Sequence, residues 1–325
     1  MRVVAGSVTD PATADLQARS YRPNFVSSDG PTTPWSSAVG GGRSSPLTPR
    51  PRLANLCSRG FIGTDENILI AGIVVNDTAG KHYLARAAGP ALTAFGVAGA
   101  LAQPVLHILD DKGRELARNS AWESGPDGDD LAGLTKAVGA FPFAKGSKDA
   151  ALLARLPAGQ FTLQISSANT GTGVGLVELD EIDPGIGRTL NLSTRGLVRA
   201  GEELMIGGVV VRDPAPKRLL IRAIGPTLGV FGVAGSLADP VLTLFNVAGT
   251  QIATNDDWST RAGAAATATA PEVAAAAAAV GAFAIGSETK DAALLLTLPE
   301  GPDTAQITGK GTASGVILQE IYEVP

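Results

Sequence analysis

The sequence predicts an all-β chain: two tandem β-sandwich, jelly-roll-like domains with one short helix each, preceded by an extended N-terminal tail. Three observations predict it. A unit of about 130 residues occurs twice, long enough for a core of its own. Within each copy, short apolar runs rich in β-branched residues alternate with Gly- and Pro-bearing turns. The first 52 residues, with 7 Pro, 8 Ser and 5 Gly, bury too little apolar surface to offset their ordering entropy.

The duplication is read directly. Asn55-Leu56-Cys57-Ser58-Arg59-Gly60 returns 136 residues later as Asn191-Leu192-Ser193-Thr194-Arg195-Gly196. At the same shift Arg86-Ala87-Ala88-Gly89-Pro90 matches Arg222-Ala223-Ile224-Gly225-Pro226, and Phe95–Gly99 recurs unchanged as Phe231–Gly235. Trp122 falls on Trp258. After the Ala/Thr-rich stretch 262–279 the shift becomes 142, so that Lys148–Leu153 meets Lys290–Leu295. The domains are read as 1–52 tail, 53–183 first repeat, 184–188 linker and 189–325 second repeat. So short a linker predicts two sandwiches set nearly end to end as one rod.

Each copy is expected to hold about eight strands. Ile68–Val75 and Leu204–Val211 read as strands buried on both faces. Val241–Phe245 and Gln251–Thr254 flank a Val-Ala-Gly-Thr turn and form a hairpin. Ala151–Leu156 and Phe161–Ile165 flank Pro157-Ala158-Gly159-Gln160, where proline presets one dihedral and glycine permits positive φ. Val174–Leu179 and Val316–Ile321 supply a last strand. Pro271-Glu272 opens a helix over Val273–Val280, with Asp130–Val138 as its counterpart.

Composition narrows function. Gly and Pro make 61 of 325 residues, against roughly 12% in average usage. Charges sum to 26 − 31 = −5; the tail carries 6 Arg − 3 Asp = +3, leaving −8 on the body. That excludes a coiled coil and a basic nucleic-acid binder. No apolar run approaches the roughly 18 residues of a membrane-spanning helix. One cysteine, Cys57, excludes a disulfide framework and a multi-Cys zinc site. Met1–Ala14 has no signal pattern, so the signal of a secreted protein would have been removed or would lie outside this sequence.

Taken together, Arg-Ala-x-Gly-Pro, Leu237–Leu244, Thr254–Trp258 and Lys-Asp-Ala-Ala-Leu-Leu resemble a repeat module of large secreted or surface-attached bacterial proteins. That module is distantly similar to the bacterial pre-peptidase C-terminal domain. The resemblance covers 53–325 and implies an extracellular or cell-surface, all-β accessory or structural module without catalysis. Copy 1 departs at Ser120-Ala121, against Asp256-Asp257; copy 2 departs at Pro302-Asp303, against Gln160-Phe161, which weakens a strand there.

The chemical candidates are sorted by whether both copies share them. His82 matches Arg218, His107 matches Thr243 and Cys57 matches Ser193, so the residues best suited to catalysis are missing from one copy. No Gly-x-Ser-x-Gly, His-Glu-x-x-His or P-loop motif occurs. Gly171–Gly175 precedes a strand and reads as a turn, not a phosphate loop. No enzyme and no cofactor are expected. Asp127, Asp129 and Asp130 in copy 1, and Asn255, Asp256 and Asp257 in copy 2, are weak calcium candidates, since turn formation explains the same residues. Arg86 and Arg222 lie in apolar strands and need a carboxylate: Asp149 and Asp291, or Glu178 and Glu320, are present in both halves. Trp122 and Trp258 read as caps over a core, with sugar stacking as the other role. In the tail, Arg2, Val3, Val4 and Val8 form a β-compatible segment that could add to the sheet edge of a neighbour. The expected role is therefore a self-associating structural subunit, a homo-oligomer or polymer. The alternative is a non-catalytic adhesion or polysaccharide-binding module. No nucleic-acid partner and no membrane span are expected.

Overall fold

The computed structural model describes residues 52–76, 80–125, 128–182, 188–212, 215–260 and 268–325, without the side chains of 52–56, 128, 129, 188, 190 and 212. The tail segment with Arg2, Val3, Val4 and Val8 lies outside them, as do Asp127 and most of the linker. The described chain is all-β with short helices. In the first repeat β1 (Arg52–Ile62), β2 (Leu69–Asn76) and β3 (Lys81–Ala88) lead to a 3-10 turn, Pro90–Phe95. Then follow β4 (Pro104–Leu109), β5 (Glu115–Asn119), helix α1 (Gly128–Val138), β6 (Ala150–Leu156), β7 (Gly159–Ser167) and β8 (Gly173–Glu181). The second repeat runs β9 (Arg188–Val198), β10 (Met205–Arg212), β11 (Lys217–Ile224), the 3-10 turn Pro226–Phe231, β12 (Pro240–Asn246) and β13 (Gln251–Asn255). It closes with α2 (Ala270–Ala279), β14 (Ala292–Leu298), β15 (Gly301–Gly309) and β16 (Gly315–Glu323).

All strand pairs are antiparallel, and they form two runs. One is β6-β3-β8-β1-β10-β15-β12-β13. The other is β14-β11-β16-β9-β2-β7-β4-β5. Each run crosses from one repeat to the other. The runs themselves meet where Phe61 of β1 pairs with Leu197 of β9. The halves therefore lie side by side, joined edge to edge, and the end-to-end rod is not formed.

The joint follows a local two-fold rule. Cys57 stands opposite Gly208, and at a shift of 136 Ser193 stands opposite Gly72; Arg59 opposite Ile206 is mirrored by Arg195 opposite Ile70. Two residues meet their own repeat mates, Phe61 with Leu197 and Ser58 Oγ with Thr194 Oγ1 at 2.8 Å. Glycine makes the approach possible: a Cβ on Gly208 would come within 2.3 Å of the Cys57 Sγ, and one on Gly72 within 2.9 Å of the Ser193 Oγ.

Burial explains why the strands read as they do. In β2 it alternates, with Leu69, Ala71, Ile73 and Val75 buried and the intervening residues half-exposed. The expectation of burial on both faces fails here because helices cover the outer face only over the strands farther from the joint. Strands buried on both faces over most of their length include β3, β8, β11, β14 and β16. Tyr83, Ala85, Ala87, Leu219, Ile221 and Ala223 enter one apolar cluster shared by both repeats. On the opposite face Leu84 packs with Trp122 and Leu131, and Leu220 with Trp258 and Val273. Pro302 does not break its strand: it stands near the start of β15, opposite Val210, where a proline is tolerated. Among the described residues no helix is long and apolar enough to cross a membrane.

The turn after β11 is held by close backbone approach. A Cβ on Gly225 would lie 2.1 Å from the Leu237 carbonyl oxygen, whereas one on Gly229 meets nothing within 4 Å. Gly225→Ala is expected to cost several kcal/mol, the range of strongly disruptive substitutions, and Gly229→Ala to change stability by less than about 0.5 kcal/mol. Chemical denaturation of the two variants checks this.

Candidate functional site

The clearest constellation is built twice, on the outer face of β3 and of β11. Alternation along these strands sends Arg86 and Arg222 away from the shared core and under the segment that follows each helix. Both guanidiniums are fully buried. In copy 2, Arg222 Nε donates to Glu320 Oε2 at 2.8 Å, Nη2 lies 2.7 Å from the same oxygen as an ion pair, and Nη1 donates to the Phe283 carbonyl at 2.7 Å. The guanidinium carbon lies 4.5 Å from the centre of the Phe283 ring. In copy 1, Arg86 Nη1 is 3.0 Å from Glu178, Nη2 donates to the Phe141 carbonyl at 2.6 Å, and the rings of Phe141 and Phe143 lie 4.5 and 4.1 Å from it. Of the two carboxylate pairs open from sequence, the glutamates bind the arginines. The register explains it, since Glu178 sits directly opposite Arg86 and Glu320 opposite Arg222.

The aspartates do another job. Asp149 Oδ1 accepts the Gly89 and Ala91 N–H groups at 2.7 and 3.2 Å, and Asp291 Oδ1 those of Gly225 and Thr227 at 2.7 and 3.3 Å. Asp291 also accepts the Thr227 hydroxyl at 2.5 Å, and Asp149 that of Ser147. Each buried carboxylate thus caps a 3-10 turn whose first N–H groups have no helical partner. Their backbone carbonyls accept the N–H of Trp122 and of Trp258, both at 2.8 Å. The indoles are 9% exposed, and their Nε1 groups donate to Ala144 and Gly286 carbonyls at 3.2 and 2.8 Å. A sugar-stacking platform needs an open ring face, and these faces are packed against the helices.

The calcium candidates are dispersed among other duties. Asn255 is buried: its Oδ1 accepts the Ala293 N–H at 2.9 Å, and its Nδ2 donates to the Asp257 and Thr260 carbonyls. Asp256 pairs with Lys310 at 2.8 Å, which holds its carboxyl below the usual range. Asp130 is exposed on α1, and the side chain of Asp129 lies outside the described residues. Among the described residues no three His, Cys, Asp or Glu side chains gather as a metal site would require.

Cys57, His82 and His107 sit on β1, β3 and β4. The His107 ring engages Glu115 at 2.6 Å and Ser166 at 3.4 Å. Burial, then the Glu178 and Asp180 carboxylates, push the Cys57 thiol up to about 12. A thiol so firmly protonated is a poor nucleophile.

Three features escaped the sequence. Asn119 repeats the bridge of Asn255, accepting the Ala121 and Ala151 N–H groups at 3.1 and 3.2 Å. The ion pairs Lys81–Glu181, at 2.7 Å, and Lys217–Glu323, partly exposed at 3.0 Å, close the starts of β3 and β11 in both copies. The third is a difference: Tyr322 donates to Glu320 Oε1 at 2.7 Å, and its place in copy 1 is taken by Asp180. The 142-residue shift carries that signal.

No family model and no curated protein sequence matches the chain. Among solved structures it is similar to a DUF4785 family protein from Legionella pneumophila subsp. pneumophila str. Philadelphia 1, over 90% of each chain, at 9% identity and a TM-score of 0.21. A likeness of that size does not place two chains in one fold.

The burial of Glu178 has a pH consequence. Burial first, and then Asp180, raise the Glu178 carboxyl from 4.5 to about 7, with Arg86 opposing. The groups facing it are Arg86 from β3, Cys57 from β1 and Asp180 on its own strand. A carboxyl raised on folding adds stability that is complete below about pH 4.5 and is lost as pH climbs through about 7, amounting to about 3 kcal/mol. Glu178→Gln should remove this slope, so denaturation midpoints of wild type and variant measured from about pH 5 to about pH 8 should diverge as pH rises.

Proposed function

We propose that the chain is an extracellular structural subunit that self-associates, without catalysis and without a cofactor. In this reading residues 53–183 and 189–325 are two tandem β-sandwich, jelly-roll-like units, linked through 184–188 and fused along their edges. Segment Arg2–Val8 adds as a strand to the sheet of a neighbouring subunit, building a filament or surface layer.

The observation that carries the reading is the outer edge of β13. This strand ends its run and pairs only with β12 among the described strands. It exposes Ile252, and the turn before it exposes Val247. An exposed edge with apolar side chains is a template for strand addition. Two further points support it. The buried polar groups shared by the repeats are engaged in holding strands and turns together, and a tail of charge +3 is drawn toward a body of −8. A head-to-tail contact of this kind is heterologous and propagates without closing. The resemblance of the motif set to modules of secreted bacterial proteins is the support for the location.

Negative-stain imaging and sedimentation test the proposal. With protein purified under native conditions and never refolded, the full chain should form polymers, a chain lacking residues 1–51 should remain folded and monomeric, and Ile252→Lys should shorten the polymers. Polymers that persist unchanged without residues 1–51, or a full chain that stays monomeric at every concentration, would overturn it.

A further inference from the structure

The joint between the repeats carries an inference that goes beyond the tail. We infer that this joint is a self-complementary interface whose fitting partner is a second copy of the chain, so that repeat 1 of one molecule can seat on repeat 2 of another. The basis is the local two-fold relation. At the joint each repeat offers two edges, the first strand and the second strand, and each edge is met by the opposite edge of the other repeat.

The residues nearest the axis are repeat mates. Ser58 meets Thr194 and Phe61 meets Leu197. Leu69 and Met205, also mates, pack over both Gly60 and Gly196, where an added Cβ would lie 2.7 to 3.8 Å from their side chains. Gly72 and Gly208 each leave room for the small polar or thiol side chain opposite. Nothing in this set depends on which molecule supplies which half. Ser58 and Thr194 are fully buried, and the core cluster runs through the joint, so separated halves would expose a large apolar surface. Exchange between molecules restores all of these contacts and changes only the connector. That connector is six residues, 182–187, between the end of β8 and the start of β9. Six residues span about 20 Å when extended, enough to pass to a neighbour. Two chains exchanging halves close a dimer, and a third chain keeps the exchange open.

Cross-linking in the full chain tests this. In a Cys57→Ser background, Ser58→Cys and Thr194→Cys place two thiols where the hydroxyls now touch. After unfolding and refolding under oxidising conditions, dilute chains should yield monomers with an internal disulfide. Concentrated chains should yield disulfide-linked dimers and a ladder above them, with the dimer-to-monomer ratio rising about tenfold for each tenfold rise in concentration. Internal disulfides alone at every concentration would overturn the inference, and so would failure of the two thiols to link in folded monomer. A second measurement needs no substitution: unlabelled and isotope-labelled wild-type chains refolded together should give mixed dimers by native mass spectrometry, and their absence at high concentration would also overturn it. Both readouts should survive deletion of residues 1–51, so this inference and the tail reading fail separately.

Discussion

The whole structure depends on the pairing of each repeat's first strand with the second strand of the other repeat. Without it β1, β2, β9 and β10 would all be open edges, and the apolar cluster between the two runs would end at an exposed boundary. The pairing requires backbones to meet side chains at close range, which is why Gly72 and Gly208 lie across from Ser193 and Cys57. Backbone hydrogen bonds set the register, and apolar burial through the joint supplies the driving force.

Away from the joint, each half repeats one solution for its outer face. An arginine sits in the middle of an apolar strand, ion-paired to the glutamate directly across the ladder and covered by a phenylalanine. An aspartate caps the 3-10 turn beside it, a tryptophan seals the helix to the sheet, and an asparagine ties two strand ends together. Removing either partner of such an ion pair leaves a buried charge uncompensated, which is costly. The two versions differ at one place. Tyr322 completes the Glu320 site with a neutral donor, whereas Asp180 puts a second carboxylate next to Glu178 and adds to the burial that raises that carboxyl.

Much of this was legible in the chain. The 136- and 142-residue shifts locate equivalent positions throughout, the turn chemistry at Pro157–Gln160 marks a real strand boundary, and Pro271-Glu272 marks the first turn of α2. The pairing across repeats was not legible, because edges recognise one another through backbone groups that every sequence carries. The arginine's partner was legible only as a choice of two, since an aspartate accepting backbone N–H groups and a glutamate facing a guanidinium look alike until the strand register is known. The double burial of β2 was misjudged for a related reason. A run such as Ile68–Val75 is apolar on both faces, yet whether a helix lies over it is decided by residues far away in sequence.

The most direct measurement of the central claim is to place a specific protease site within residues 183–187 of the full chain and cut it under native conditions. If the joint holds the molecule together, the two fragments will migrate as one species and unfold in one cooperative transition. Fragments that part in native buffer, or that melt independently, would contradict it.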